Sequence, residues 1–441
     1  MRRSGLLRST ALTTLVLILS SCVATQLPPI SSQGRSFKPL NDETKLWEQS
    51  RDEEAKLLDH VKLYGDPLLD AHLEHVVARL NPPGMAANPE IRYRVRVVED
   101  PTLNAFAYPH GSIYVHTGLL ARMENEDELA TVLGHEMTHV EDRHMLRYQR
   151  SVHNRQVGIT VATIAAAVAL AVAEGDALDS GDWGKASVLD AFGQIVVGLG
   201  LELAFTASVN GYGRDLEREA DEGGFRKMTA AGYDLRQAPK VYQVLLDDRG
   251  EPKRMEAFFF GSHPRLSERV EDTRKYLAAH PVTPVATAAL RSSPDEPAED
   301  AEAFARLLRP VIRDDARLNL DLGRLRIAEG EIERARALMP EDPETRFLQG
   351  RLRLAQAAAG ADPASQRRLR RQAEDAFLQS IELDPRRAAP HRELGLLLYE
   401  RHQLADACVQ LRRYAELAPD ADDLDHVEDR IEDLQRDGHC R

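Results

Sequence analysis

His135-Glu136-Met137-Thr138-His139 places two histidines four residues apart with a glutamate beside the first. In a helix, residues at i and i+4 stack on one face about 5–6 Å apart, within reach of a single metal ion. The flanks carry a helical pattern: Leu129, Leu133, Met137 and Val140 form an apolar stripe, Glu136 falls inside it, and both histidines lie on its flank. Three ionisable groups on a core-facing side are unfavourable unless paired, and one divalent cation satisfies all three together. The spacing therefore predicts a helix that presents metal ligands, with zinc-assisted hydrolysis as its chemistry.

A second stretch extends the set. In Arg214-Asp-Leu-Glu-Arg-Glu-Ala-Asp-Glu-Gly-Gly-Phe-Arg-Lys-Met228, the residues Glu217, Ala220, Asp221, Gly224, Phe225 and Met228 follow the pattern of one buried helix face, and Gly232 supplies the stop. Two carboxylates thus point inward with the apolar residues. Glu217 is read as the third zinc ligand. Asp221, one turn on, is read as the acceptor that fixes the tautomer of a ligand histidine. Glu219 and Glu222 are read as surface residues.

These two stretches together resemble the gluzincin metallopeptidases that include HtpX and the CAAX prenyl proteases. Asn104-Ala-Phe-Ala-Tyr-Pro-His-Gly-Ser-Ile-Tyr-Val-His-Thr-Gly-Leu-Leu120 is similar to that family's strand beside the active cleft, and Ser262-His-Pro-Arg-Leu-Ser-Glu-Arg269 to its downstream His-Pro motif. The turn Pro109-His110-Gly111 departs from the two glycines more usual there. With the N-terminal signal and C-terminal repeats considered next, the chain resembles the periplasmic BepA-like branch, which combines protease and chaperone roles in outer-membrane protein assembly. One zinc ion on His135, His139 and Glu217 would keep an open position for water, with Glu136 as general base. His263 is read either as a donor to the oxyanion or, as in BepA-like relatives, as a latch on the open zinc position. His110, His116 and His144 are read as structural.

Arg2, Arg3 and Arg8 precede an apolar run from Ala11 to Leu19, the size and charge order of a secretory signal over residues 1–21. Leu19-Ser20-Ser21-Cys22 resembles a bacterial lipobox, which implies lipidation of Cys22 and, with Val23 next, outer-membrane sorting. The 57 basic and 71 acidic residues give a formal charge of −14, and loss of the three signal arginines makes it −17. Such a body argues against nucleic acid and makes lipid and apolar contacts, not charge, the basis of membrane attachment. In an oxidising compartment Cys408 and Cys440 could pair and staple the C-terminus to the repeats.

Residues 22–40, rich in Pro and Ser, read as a tether. Asp42 to Leu80 reads as helical up to the Asn81-Pro-Pro-Gly84 break, Ile91 to Val98 as a strand, and 104–108 with 112–116 as a hairpin. An exposed strand there could capture an extended substrate by main-chain pairing, or the hairpin is purely structural, and spacing alone does not choose. An apolar insert over about 151–210 contains the uncharged run Val157 to Ala173, as long as a minimal transmembrane helix. A single span would put the two halves of one metal site on opposite sides of a membrane. The insert is therefore read as a helical pair over the active site or facing a β-barrel partner, or as ordinary core. Residues 281–300 read as a linker. Beyond it, Leu322-Gly323 with Ala335, Leu348 to Gly350 with Ala373 and Pro385, and Leu394-Gly395 with Ala407 and Pro419 resemble tetratricopeptide helix pairs.

The expected fold is α+β, mainly α: a zinc metallopeptidase domain with a small β-sheet at 41–280, then an all-α tetratricopeptide-like domain at 301–438. The expected function is that of a periplasmic zinc endopeptidase, lipid-anchored to the outer membrane of a Gram-negative bacterium, that degrades misassembled outer-membrane proteins. The repeats would bind substrates or the β-barrel assembly machinery. The alternative is a chaperone or adaptor for outer-membrane protein assembly whose protease site is latent.

Overall fold

The computed structural model describes residues 23–156, 199–206, 212–247, 266–280, 301–360 and 362–440. Cys22, His263, the run 157–173 and the linker 281–300 lie outside the described residues. Two compact units emerge: Met1–His116 with Asn125–Ala298, and Thr117–Glu124 with Glu299–Arg441. Residues 117–124 thus belong with the C-terminal helices and not, as the expected domain limits had it, with the first unit.

In the first unit, helices α1 (Asn41–Leu58) and α2 (Pro67–Leu80) precede a three-stranded sheet of β1 (Arg94–Val98), β2 (Ala105–Ala107) and β3 (Ser112–His116). The helical stretch read over Asp42 to Leu80 is two helices, the second opened by Asp66, which accepts from the backbone N–H groups of Leu68 and Leu69, and by Pro67. The sheet order is β1-β3-β2, with β1 parallel and β2 antiparallel to β3. Gly111, at φ +103°, makes the β2–β3 turn, where a Cβ would lie 2.7 Å from the Arg92 carbonyl oxygen.

Of the two readings of the hairpin, an exposed strand and a structural one, its buried side chains suit the second. Ala105, Phe106 and Ala107 are at most 2% accessible, because Phe106, Tyr108 and Tyr114 pack with Met145, Leu146, Leu201, Leu203, Ala204 and Tyr212. Residues 23–40 are not a loose tether. Ile30 and Phe37 are 1% and 2% accessible, and Phe37 packs at 6.1 Å on Trp47.

The central element is α3 (Glu126–Glu141), whose N-terminus is capped by Asn125 accepting from the Glu128 N–H at 3.0 Å. Every residue of α3 is buried, beyond the single stripe that its sequence shows. Its charged ends are paired: Glu126 with Arg79 at 2.9 Å, Asp127 with the Asp234 N–H at 2.7 Å, and Glu141 with Lys227 at 2.5 Å. A tight turn leads to α4, residues 144–156. Helices α5 (Arg214–Ala231), α6 (Ala238–Asp247) and α7 (Leu266–Ala279) follow. Gly232, left-handed at φ +79°, ends α5.

The second unit contains three helix pairs, α8 (Ala301–Asp321) with α9 (Leu325–Leu338), α10 (Pro343–Ala359) with α11 (Pro363–Leu383), and α12 (Ala388–Glu400) with α13 (Leu404–Leu417), then α14 (Leu424–Arg436). Small residues seat the pairs: Ala335, Ala373 and Ala407 are fully buried, and a Cβ on Gly350 or Gly395 would strike Phe377 or Leu411. Residues 117–124 are held here by Thr117 donating to Asp315 at 2.8 Å and by Arg334 donating to the Ala121 and Met123 carbonyls. Cys408 and Cys440 form a disulfide with a Cα–Cα distance of 5.7 Å, pinning α14 to α13.

Two outcomes test this architecture. Glu54 on α1 accepts from Tyr114 on β3 at 2.6 Å and faces His110 at 2.9 Å. Burial raises its pKa, but bonds from His110, Tyr114 and Ser112 outweigh burial and hold it at about 2. A depressed folded-state pKa contributes stability present above the unfolded value and lost as pH falls through the folded one. Glu54→Gln should therefore cost about 1–2 kcal/mol at pH 7 and flatten the loss of stability between about pH 4.5 and 2 in denaturant titrations. Cys440→Ser opens a loop with a sequence separation of 32 and should destabilise the second unit by about 3–4 kcal/mol, read as its own thermal transition.

Candidate metal centre

Two glycines bring the site's helices together. A Cβ on Gly224 of α5 would stand 3.0 Å from the His135 nitrogen and 3.1 Å from the Gly134 carbonyl carbon, and one on Gly134 would stand 3.2 Å from the Gly224 Cα. The helices meet backbone to backbone, one residue from His135. Glu217, on the same face of α5 two turns earlier, is thereby carried to the histidines.

His135, His139 and Glu217 are each 4% accessible, and their ligand atoms lie close together. The two Nε2 atoms are 2.9 Å apart, and Glu217 Oε2 is 3.5 Å from that of His135 and 3.8 Å from that of His139. A triangle with those sides has a circumradius of about 2.0 Å, the length of a zinc–nitrogen or zinc–oxygen bond. Two imidazoles and a carboxylate suit zinc as well in donor type as in spacing. The other carboxylate oxygen, Oε1, accepts from the Tyr212 N–H at 3.3 Å, and the Tyr212 ring stacks on His139 with centroids 4.4 Å apart.

Each histidine has a partner on its other nitrogen. His135 Nδ1 lies 2.9 Å from Asp221 Oδ1. Asp221 also accepts from Tyr242 at 2.8 Å and from both arms of Arg269, whose Nε is 2.9 Å from Oδ2. Burial would raise the Asp221 pKa, but Arg269 and His135 outweigh it and hold the carboxylate at about 2. An ionised Asp221 accepts the Nδ1 proton and leaves Nε2 of His135 for the ion. His139 Nδ1 lies 2.9 Å from His144 Nδ1. Glu136 is 3% accessible, and burial pushes its carboxyl up to about 7 against the opposing pull of His135. A carboxylate poised there suits a general base at neutral pH.

The structure thus gathers His135, His139, Glu217 and Asp221 and buries Glu136 on the ligand helix. Sequence reasoning missed Tyr242, Arg269 and His144. Arg269 closes the downstream Ser262–Arg269 segment, so its sequence signal was in view, whereas Tyr242 has no motif of its own. From sequence His144 reads as structural, because nothing local ties it to His139.

Residues 67–277 match peptidase family M48. The chain is 25% identical over 225 residues to a protein of Vibrio cholerae named putative beta-barrel assembly-enhancing protease, covering 51% of this chain and 42% of that one. It is 26% identical over 251 residues to the beta-barrel assembly-enhancing protease of Escherichia coli, covering 57% and 47%. It is 27% identical over 259 residues to the mitochondrial metalloendopeptidase OMA1 of Schizosaccharomyces pombe, covering 56% and 65%. The chain spans about half the length of the two bacterial relatives and under two thirds of the third. The stretch that resembles peptidase family M48, residues 67–277, contains His135, Glu136, His139, Glu217 and Asp221.

The glycine crossing sets the metal site, so Gly224→Val should force α3 and α5 apart. Zinc affinity, measured by competition with a chromophoric chelator, should fall by at least about 10-fold.

Proposed function

From the resemblance of residues 67–277 to peptidase family M48, we propose that this chain is a zinc endopeptidase that degrades misassembled outer-membrane proteins in the periplasm, held at the outer membrane by a lipid on Cys22. The observation that carries the catalytic reading is the buried triangle of His135, His139 and Glu217 with Glu136 beside it. Bound there, zinc would supply a Lewis acid and acidify a water. Glu136 takes the proton of the attacking water and passes it to the leaving amine. Asp221, fixed by Arg269 and Tyr242, keeps His135 in the tautomer that offers Nε2. His263 either donates to the developing oxyanion or closes the fourth ligand direction.

The location and substrate class rest on separate supports. The Cys408–Cys440 disulfide suits an oxidising compartment, and the pattern of residues 1–22 suits export and lipidation. Among the described residues no helix is long and apolar enough to cross a membrane. The names of the bacterial relatives point to β-barrel assembly as the setting. The C-terminal helix pairs are the part of this chain suited to hold an unfolded client or the assembly machinery. One observation favours the chaperone or adaptor reading with a latent site: the side chains of β2 are buried and the Tyr212 ring stacks on one face of His139, which narrows the approach to the ligands.

Zinc-dependent degradation of an unfolded protein by the form lacking residues 1–22 separates the readings. Wild-type cleavage that falls by at least about 10²-fold in Glu136→Gln, with zinc retained, is the expected result. Cleavage that appears only in His263→Ala identifies a latch. Zinc binding without cleavage in wild type and His263→Ala favours the adaptor.

A further inference from the structure

The turn after the ligand helix is held in an unusual conformation. Arg143 has φ +60°, the left-handed region that a non-glycine residue occupies only when its surroundings impose it. The imposing groups come from the N-terminal segment. Glu43 receives both arms of Arg143, with Nε at 2.8 Å from Oε1, and the guanidinium lies over the Phe37 ring at 5.4 Å. Glu43 and Arg143 are 2% and 6% accessible, so neither charge has a solvated alternative.

The same segment is fastened to the last residue of α3 and along α4. Ser31 bonds Glu141, and Arg150 donates to Asp42 at 2.8 and 3.0 Å and to the Ala24 carbonyl at 2.8 Å. Asn154 pairs with both the N–H and the carbonyl of Val23, at 2.9 and 2.8 Å. Residues 23–43 are a strap over the turn, and the turn decides where the next helix starts. Its first residue is His144, which is fully buried.

We infer that this strap and the left-handed Arg143 belong to the metal site, because they hold His144 where its Nδ1 accepts the Nδ1 proton of His139. The inference rests on the zinc-site reading of His135, His139 and Glu217. Two Nδ1 atoms 2.9 Å apart need one donor and one acceptor. A His139 that gives Nε2 to an ion keeps its proton on Nδ1, so His144 is the acceptor and carries its own proton on Nε2. That Nε2 faces Glu219 Oε2 at 3.6 Å, and Arg147 holds Glu219 from the other side at 3.1 Å. His144 is therefore a positioning residue for the second ligand, as Asp221 is for the first.

The same tautomer decides a competing assignment. Asp142, His144 and Glu219 could also group around a cation. That would need a lone pair on His144 Nε2 and hence a proton on Nδ1, which would face the proton of His139. An ion on the His139 site excludes the second one, so of the two candidate groups among the described residues only the first takes zinc.

The test is zinc stoichiometry and affinity of the full chain by chelator competition, with far-ultraviolet circular dichroism as the check on folding. His144→Ala should weaken zinc by about 10–100-fold. Two double variants isolate the backbone: Glu43→Gln with Arg143→Ala, and Glu43→Gln with Arg143→Gly. They lose the same ion pair and differ in whether the residue at 143 accepts a left-handed φ without penalty. The alanine pair should weaken zinc about 10-fold or more, and the glycine pair should stay within about threefold of wild type. Equal affinities in both pairs, an unaltered His144→Ala, or a second zinc lost in Asp142→Asn would each overturn the inference. A wild-type chain that binds no zinc would remove the zinc-site reading itself and the inference with it.

Discussion

Backbone contact between α3 and α5 at Gly134 and Gly224 is the constraint on which the metal centre depends. Helices packed through ordinary side chains run 8–10 Å apart, whereas ligand atoms must fall within a few tenths of an ångström of their bond lengths. Two ligands ride on one helix and the third on the other. With glycine on both sides of the crossing, short side chains close the gap and no loop is needed to supply a ligand. Gly223 adds to this, since a Cβ there would lie 2.3 Å from a methyl carbon of Thr138. Rigid elements thus hold all three ligand atoms, which favours a preformed site over one assembled by the ion.

A helix buried on every side has to carry its charges inward. At its two ends α3 does so by pairing Glu126, Asp127 and Glu141 with groups from other elements: Arg79 from α2, the Asp234 N–H from the segment after α5, and Lys227 from α5 itself. The histidines follow the same rule, one backed by Asp221 with its Tyr242 and Arg269 and the other by His144. Buried polar groups that are fully partnered fix one arrangement, because any shift strands a charge without water. The chemistry of the site and the specificity of the core are here the same set of contacts.

What the sequence made legible was local. The i, i+4 spacing of His135 and His139, the inward face shared by Glu217 and Asp221, the Gly232 stop and the turn at Gly111 all depend on a few neighbouring residues. The same is true of the small residues that seat the C-terminal helix pairs. Features set by distant partners were not legible. Residues 23–40 look like a linker in composition, and distant groups, Trp47, Glu141 and the arginines and asparagine spaced along 143–154, make them a packed strap. The hairpin reads as an edge until Leu201, Leu203, Ala204 and Tyr212 pack on it, and the boundary between α1 and α2 is set by Asp66 and Pro67 inside a stretch that is helical in composition throughout. His144 looked idle because its partner is one of the ligands.

The strap also sets a distance. Eighteen residues of free chain, as in a true leash from 23 to 40, would span up to about 60 Å and let the protein sample a broad shell around its point of attachment. Fastened at Val23 by Asn154, the segment gives no such radius. Asn154 and His144 are separated by ten residues of one helix, about 15 Å of rigid rise. With an attachment at Cys22, as proposed above, the metal would be carried on a short, helix-set reach and not on a free leash, and access to it would then depend on how far a polypeptide projects from the surface before it depended on sequence.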